Sequence, residues 1–187
     1  MATTPDVNFL SGVLGGSGGK ANYEPQRQNN ALMYIVGVGG QQENVLTLSL
    51  SAFPLPKVTQ NPIEIGYLNE KRKFAGNPTF DDLSVTFNDY IDVGTADALL
   101  LWRHQCYDPN RGTVGLASSY KKSGWVTLFS PDGDPGYNRE YTLIGIWPSM
   151  FDPGEIDHQG EDVVRITCTF TIDKAYPSKG FPSVPTS

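Results

Sequence analysis

Two histidines, His104 and His158, limit the acid–base chemistry that this chain can perform. A catalytic site needs a nucleophile beside a base, a pair of carboxylates in a pocket, or a metal cluster. His104 stands two residues before Cys106 within a predicted helix. Side chains two apart on a helix point in different directions, so this pair does not favour catalysis or metal binding.

A second candidate site is the acidic run of residues 152–158, Asp-Pro-Gly-Glu-Ile-Asp-His. Its three carboxylates and one imidazole raise the hypothesis of a metal site. Proline and glycine beside acidic residues are also the ordinary composition of a solvated turn. The turn is the favoured interpretation.

Two further segments resemble ligand-binding loops only in part. The Asp-Gly-Asp of residues 132–134 begins like a calcium loop, but Pro135 and Gly136 break the ligand spacing. Residues 12–19 are rich in glycine but lack the Lys-Ser/Thr ending of a phosphate-binding loop. A hairpin turn and a linker are favoured. The sequence therefore predicts no catalytic residue, cofactor or metal site, and a protein that is not an enzyme.

Aromatic side chains give an alternative class of function, because exposed rings on a β-sandwich can bind carbohydrate. Rings on strands and helices more often fill cores or subunit interfaces, which is the favoured interpretation. The candidates are Trp102, Tyr120, Trp125, Tyr137, Tyr141 and Trp147.

The two cysteines, Cys106 and Cys168, do not make a disulfide framework. Synthesis in the cytoplasm favours free and buried thiols. A bridge that forms after release from the cell, within one chain or between copies, is the alternative.

Composition and charge exclude several classes of protein. The 187 residues include 20 Gly and 14 Pro, and only 18% are charged, which favours short strands and turns over a helical bundle. A net charge of -6 leaves no broad basic surface for a phosphate backbone. No apolar run approaches the roughly 20 residues of a membrane span, and the first 20 residues do not form a signal sequence. We expect a cytoplasmically made protein without membrane insertion.

The chain divides into three predicted parts. Residues 1–28 form a flexible N-terminal arm rich in Gly, Ser, Asn and Gln, and residues 176–187 form a proline-rich C-terminal tail. Residues 29–175 form one folded domain between them, since this length can bury a hydrophobic core.

Alternating apolar residues predict the first strands of this domain. Residues 31–38 form one strand before a Gly-Gly turn, and residues 44–52 form a second that is buried on one side. Pro54 and Pro56 then interrupt the strand ladder, because proline donates no backbone hydrogen bond. The apolar faces are Leu32, Tyr34, Val36 and Val38 in the first strand and Leu46, Leu48 and Leu50 in the second.

A charged hairpin follows these strands. Residues 63–67 and 72–75 flank a turn at residues 68–71, and the density of charge predicts that the hairpin projects into water or toward a partner. The chain returns as a strand at residues 79–88, with an apolar face of Leu83, Val85 and Phe87.

One helix is predicted at residues 95–107. Thr95 can cap it, Asp97 lies in its first turn, and Pro109 ends it. Its apolar stripe is Leu99, Trp102 and Cys106. Three further strands are predicted at residues 124–130, 139–147 and 162–172.

The last predicted strand has the clearest alternation. Its core face is Val164, Ile166, Cys168, Phe170 and Ile172. About seven strands and one helix predict a mainly β fold, an antiparallel barrel or sandwich of two packed sheets with one flanking helix and a projecting hairpin.

Three stretches, taken in order, resemble the tail tube family of contractile-tailed bacteriophages, which is related to the tubes of contractile injection systems. The first is IEIGYLNEKRKFAG at residues 63–76, followed by TFDDLSVTF at residues 79–87. The second is a helix ending in Leu-Trp, then Asp-Pro-Asn at residues 108–110 and YKKSG at residues 120–124. The third is YTLIGIWPS at residues 141–149 with the strand at residues 163–172.

The resemblance implies a structural protein of two packed sheets closing as a barrel, with six subunits in each ring. Rings stack into a tube whose lumen conducts genome DNA during ejection. In that family the hairpin reaches neighbouring subunits, which makes its residues the predicted interface: Tyr67, Leu68, Asn69, Glu70, Lys71, Arg72, Lys73 and Phe74.

The resemblance also implies partners and a location. The partners are other copies of the chain, the tail sheath protein, the tape-measure protein, the baseplate and tail-terminator proteins, and double-stranded DNA that passes without tight binding. An acidic lumen wall would repel this DNA. The protein would belong to the virion after assembly in the host cytoplasm, and the alternative is the inner tube of a bacterial contractile injection or secretion system. The lumen candidates are Asp81, Asp82, Glu140, Glu161 and Asp162.

Overall fold

A computed structural model of the chain describes residues 26–91, 94–129, 138–156 and 162–179. Within these ranges it has eleven strands and three helices. In chain order the elements are β1 Ala31–Val36, α1 Gly40–Leu48, β2 Leu50–Ala52, β3 Val58–Tyr67, β4 Glu70–Phe80, β5 Leu83–Asn88, α2 Thr95–Cys106, β6 Tyr107–Asp108, β7 Thr113–Val114, α3 Ala117–Tyr120, β8 Lys122–Leu128, β9 Arg139–Asp152, β10 Arg165–Thr171 and β11 Lys174–Lys179.

The main sheet is antiparallel and has the strand order β1-β8-β9-β10-β5-β2, with β11 also paired to β9. Strands β3 and β4 form a separate two-stranded sheet, and β6 and β7 form a short one. The main sheet curls into a half-barrel that carries the helices, which confirms the predicted mainly β class.

Strand β9 is shared by both halves of the main sheet. Its first half pairs with β8 on one edge and with β11 on the other, and its second half pairs with β10. Gly145 lies at the change of partner, with φ +72, and an added Cβ would overlap the carboxylate of Asp173. Only glycine combines this positive φ with the close approach of Asp173, so the residue type allows β9 to change partners here.

One hydrophobic core lies between the sheet and the helices. Trp102 of α2 is fully buried, its ring centroid is 5.3 Å from that of Phe170, and its indole N–H donates a 2.7 Å hydrogen bond to the carbonyl of Tyr120. These contacts fasten α2 and α3 to β10. The other fully buried large side chains are Leu83, Val85, Phe87, Leu99, Val126, Leu143, Ile146, Ile166 and Cys168.

Helix α2 confirms the predicted helix, but Thr95 does not cap it. The N-cap residue is Gly94, with φ +66, and no side chain bonds to the free N–H groups. The Thr95 hydroxyl instead lies in the core, where it has no hydrogen-bond partner among the described residues. Thr95 is the first residue inside the helix, one position after the N-cap, so its side chain does not occupy the capping position. The helix also ends at Cys106, three residues before Pro109.

The predicted strand at residues 44–52 is wrong, because most of it is helix α1. Glu43 holds the start of this helix against β1: its carboxylate accepts a 2.6 Å hydrogen bond from the N–H of Gly37 and a 3.1 Å bond from the Tyr34 hydroxyl. Leu46 is buried, whereas Leu48 is 75% exposed. Leu46 lies in the helix and Leu50 begins β2, so the alternating leucines do not belong to one strand.

The predicted face of β1 needs a similar correction. Met33 and Ile35 point into the core, whereas Leu32 and Tyr34 lie on the opposite side of the sheet. All six residues of β1 are apolar or aromatic, so alternation does not distinguish its two faces. Val38, beyond the end of the strand, is buried as well.

Strand boundaries also differ from those predicted. The strand expected at residues 79–88 is divided, since Asp81 and Asp82 separate β4 from β5. At the C-terminal end, β11 (Lys174–Lys179) pairs with β9, although the tail was predicted to begin at residue 176. Pro177 lies in this strand, beside a register shift that accommodates its missing N–H.

Candidate subunit-assembly surfaces

The hairpin of β3 and β4 is the most exposed element of the described chain. All residues from 57 to 75 are exposed, and the pairing of Tyr67 with Glu70 leaves a two-residue loop at the tip. An isolated two-stranded hairpin is at best marginally stable in water. The described part of the subunit leaves this length of hairpin exposed to solvent.

One face of the hairpin is apolar. Cross-strand partners share a face, and Ile63 pairs with Phe74 while Ile65 pairs with Arg72. Tyr67 extends this face toward the tip, where the guanidinium of Arg72 lies 4.6 Å from the centroid of its ring. Ile63, Ile65, Tyr67 and Phe74 each expose a little over half of their surface. Within the subunit, this apolar face remains in water.

The opposite face of the hairpin is charged. Glu64 accepts ion pairs from Lys71 at 3.6 Å and from Lys73 at 3.4 Å. All three side chains are well exposed, so these pairs contribute little to stability. They do keep this face soluble and distinguish it from the apolar one.

A β-bulge bends the base of the hairpin. The register shifts between Gln60 and Pro62, and Gly76 lies opposite this irregularity. A Cβ at Gly76 would overlap the carbonyl oxygen of Asn61, so glycine is required for the strands to approach here. Residues 53–57 and the pair Asp81-Asp82 then join the hairpin to the main sheet.

The structure brings the predicted interface residues together at the distal part of the hairpin. All of them are exposed: Tyr67, Leu68, Asn69, Glu70, Lys71, Arg72, Lys73 and Phe74. Ile63 and Ile65 belong to the same face and were not among the predicted interface residues, although their alternation with Glu64 was a visible signal. Whether these residues contact another subunit stays a prediction.

The predicted lumen residues lie at separate places. Asp81 and Asp82 are exposed at the base of the hairpin, and Asp162 is exposed just before β10. Glu140 is half-buried on β9, where it accepts a 2.9 Å hydrogen bond from the Ser178 hydroxyl. Glu161 lies outside the described residues. No single surface is defined by these carboxylates, and their place in a lumen stays a prediction.

The face of the main sheet that points away from the core is polar on β10 and aromatic near β1. Thr167, Thr169 and Thr171 lie half-buried on this face of β10. Tyr34 and Trp125 are paired across β1 and β8, with ring centroids 5.1 Å apart, and Trp125 is 40% exposed. This face is available for contact with a neighbour or with solvent.

The other aromatic candidates are distributed between the core and its margins. Trp102 is in the core, and Trp147 is half-buried against Tyr120 at a centroid distance of 5.9 Å. Tyr141 is half-buried and packs against the core, and Tyr137 lies outside the described residues. Of the candidate rings, Trp125 is the exposed one among those described, which favours the core and interface interpretation.

Among the residues that the structure describes, the candidates for chemistry are not brought together. His104 is exposed on α2, and His158 and the Asp-Gly-Asp segment lie outside the described residues. In the acidic run, the Asp152 carboxylate accepts a 3.0 Å hydrogen bond from the N–H of Gly154, as in an ordinary turn. Over the described ranges, no group of three or more His, Cys, Asp or Glu side chains could hold a metal ion.

Both cysteines are free thiols. Burial raises the pKa of Cys168 to about 12, and burial also raises the pKa of Cys106, against the opposing effect of Arg103 and Lys122. A thiol with a raised pKa is mostly protonated and therefore a poor nucleophile. Neither cysteine has the properties of a catalytic residue. Among the described helices, none is both long and apolar enough to cross a membrane.

Comparison with known proteins gives the class of this fold. No protein-family model matches the chain. The tube-terminating cap of the anti-feeding prophage has a TM-score of 0.64 at 12% identity, covering 86% of this chain and 95% of the cap protein. A chain of the PVC sheath-tube complex, from an extracellular contractile injection system, has a TM-score of 0.63 at 11% identity, covering 94% and 99%. The chain therefore shares its fold with these two proteins.

Two relatives found by sequence point to a narrower class of protein than the solved structures do. The tail tube protein gp19 of Enterobacteria phage T4 is 26% identical over 130 residues, which cover 69% of this chain and 77% of that protein. Tail tube protein gp19 of phage T6 matches to the same extent. The predicted resemblance to the tail tube family of contractile tails is confirmed. These relatives are structural tube proteins, which agrees with a structural role for this chain.

Proposed function

We propose that this protein is the tail tube subunit of a contractile-tailed phage and assembles into stacked hexameric rings whose lumen conducts DNA during ejection. The observation that carries the proposal is the projecting β3–β4 hairpin, which exposes an apolar face that the subunit itself does not cover. The 26% identity to phage tail tube proteins supports the same function.

Physical reasoning favours a polymer over a symmetric dimer. The hairpin forms a sheet separate from the main one, and its exposed apolar face would bury against some surface in the assembly. If that surface is a different part of a second copy, the contact is heterologous and repeats from copy to copy, which produces rings or helical filaments. A tube of stacked rings uses such contacts both within and between rings.

The lumen would be formed by a polar surface with excess negative charge. The threonine-rich face of β10 suits a water-filled channel, and the net charge of -6 disfavours tight binding of a duplex. In this proposal Asp81, Asp82, Glu140 and Asp162 contribute to the lumen wall, together with Glu161. DNA then passes without the Lys and Arg contacts that would retain it.

The proposed partners follow from the position of a tube in a tail. The sheath protein would cover its outer surface, the tape-measure protein would occupy its lumen before ejection, and the baseplate and terminator proteins would bind its two ends. The subunit would be assembled in the host cytoplasm and remain in the virion.

A bacterial contractile injection system is the second candidate, because the solved structures that share the fold include tube components of such systems. Their 11 and 12% identity supports the fold, whereas the 26% identity to phage proteins favours a phage. Genes for capsid and terminase proteins beside the gene of this chain would favour the phage, and genes for secreted effectors would favour the injection system.

Electron microscopy of the purified full chain tests the main proposal. We expect negatively stained rings or tubes with six-fold symmetry at high protein concentration. A variant lacking residues 69–72 should keep the circular dichroism of the folded core and remain monomeric. A wild-type protein that stays monomeric under all conditions would contradict the proposal.

A further inference from the structure

Leu68 occupies a backbone conformation that is unfavourable for its residue type. It has φ +56 and is the single non-glycine residue with positive φ in the described part of the chain. Leu68 and Asn69 form the two-residue loop between Tyr67 and Glu70. Both favoured turn types for such a loop need a positive φ at the first position, where glycine, asparagine or aspartate is usual.

Contacts within the subunit do not offset the backbone strain at Leu68. Leucine has no short polar side chain that could form a local hydrogen bond in the left-handed region. Its side chain is 93% exposed, so it gains no packing energy within the subunit either. Strained residues that persist without local compensation are frequent at functional sites.

Leu68 follows the last residue of the apolar face at the tip of the hairpin. That residue is Tyr67, whose ring centroid lies 4.6 Å from the guanidinium of Arg72. The face that begins at Ile63 therefore reaches the tip, where the most exposed apolar side chain of the hairpin stands.

We propose that Leu68 is an anchor residue that inserts its side chain into an apolar pocket on a second copy of this chain. The inference rests on the proposed tube function, because assembly supplies the second copy. A single apolar anchor at the end of a hairpin can contribute most of the binding energy of a contact, since truncating an interface hot spot commonly weakens association at least tenfold.

Substitution by asparagine separates the two roles of this residue. Asn tolerates positive φ, so Leu68→Asn should relieve the strain and raise the hydrogen-exchange protection of the β3–β4 amides, roughly fivefold or more. The same change removes the apolar anchor and should raise the critical concentration for tube formation by about tenfold or more. Only an anchor residue is expected to give this combination, in which Leu68→Asn stabilises the hairpin and weakens assembly.

Leu68→Met is the matched control, because methionine keeps an apolar side chain of similar volume and the same backbone strain. It should change neither protection nor critical concentration by more than about twofold. If Leu68→Asn assembles like the wild type, Leu68 is no anchor, although the tube function would stand. Failure of the wild-type chain itself to assemble would contradict the proposed function and this inference together.

Cross-linking identifies the pocket. A benzophenone amino acid at position 68 of the full chain, activated in assembled tubes, should join two copies, and the modified peptide should lie outside the hairpin. Cross-links confined to one chain would overturn the proposal.

Discussion

The Lys121 ammonium group contacts both carboxylate oxygens of Asp173, at 2.6 and 2.8 Å. The pair joins the residue before β8 to the connection between β10 and β11, and it holds the carboxylate over Gly145. The point where β9 changes partners is thus fixed by one ion pair and one glycine. Since both charged groups are partly exposed, the ion pair alone contributes at most about 1 kcal/mol.

Gly145→Ala should destabilise the subunit by about 2–4 kcal/mol. The new Cβ would overlap the Asp173 carboxylate, and alanine also disfavours φ +72. Chemical denaturation measures the loss. Gly112→Ala is the control, because Gly112 has φ +65 with open space around it and should lose only about 1 kcal/mol. Equal losses for the two variants would show that the overlap has no cost.

Replacing Trp102 tests the core below α2. Trp102→Ala removes a fully buried ring and should lower the free energy of unfolding by about 3–5 kcal/mol. Trp102→Phe keeps most of the ring but leaves the Tyr120 carbonyl without its donor, for a loss of about 1–3 kcal/mol. Urea denaturation gives both values.

Trp125→Ala provides the comparison at an exposed tryptophan. Trp125 keeps 40% of its surface in water, so its loss should destabilise the subunit by no more than about 1 kcal/mol. If Trp125→Ala lowered the free energy of unfolding more than Trp102→Ala does, the assignment of Trp102 to the core would be contradicted.

Alkaline pH should destabilise the subunit through Cys168. Its pKa is about 12 in the folded chain and 9.0 ordinarily, so between these values the unfolded chain has lost a proton that the folded chain retains. The contribution is complete below pH 9 and is lost as the pH rises toward 12, with a slope of up to about 1.4 kcal/mol per pH unit.

Urea denaturation of the wild type and of Cys168→Ala at pH 8, 9, 10 and 11 measures this contribution, since other groups titrate alike in both proteins. Above pH 9 the free energy of unfolding of the wild type should fall relative to that of Cys168→Ala, by up to about 1.4 kcal/mol per pH unit. Cys106→Ala keeps Cys168 and should therefore still lose stability above pH 9 relative to Cys168→Ala. A constant difference between wild type and Cys168→Ala would show that the thiol titrates normally.

The two faces of the hairpin should respond differently to substitution. Ile65→Asp places a charge on the apolar face and should raise the critical concentration for assembly by about tenfold or more. Glu64→Ala breaks exposed ion pairs on the opposite face and should change it less than about threefold. Analytical ultracentrifugation measures both. If Glu64→Ala raised the critical concentration more than Ile65→Asp, the interface would lie on the charged face instead.

The sequence predicts elements best where local signals agree. The alternation in β10 predicts its buried face correctly, because polar threonines mark the other face. Helix α2 is predicted because its apolar residues repeat at helical spacing. Residues 44–52 fail for the opposite reason: their leucines fit a strand and a helix equally, and the contacts of Glu43 with β1 decide between them. Such contacts are long-range and leave no local signal.

Only part of the candidate site can be predicted from the sequence. The hairpin has a clear signature, since charged and apolar residues alternate on both sides of a short turn. The left-handed conformation of Leu68 has none, because leucine is not a residue expected there. The lumen depends on how copies are arranged, and a single chain contains no pattern that reports the arrangement.

The attachment of the hairpin has a mechanical consequence. Its strands hydrogen-bond to each other as a separate sheet, and only two short connections lead to the half-barrel. A rotation about these connections leaves the ladder of the main sheet intact. In the proposed tube, adjacent rings joined by such arms would tilt against one another while every subunit stays folded, so the polymer would curve without fracture.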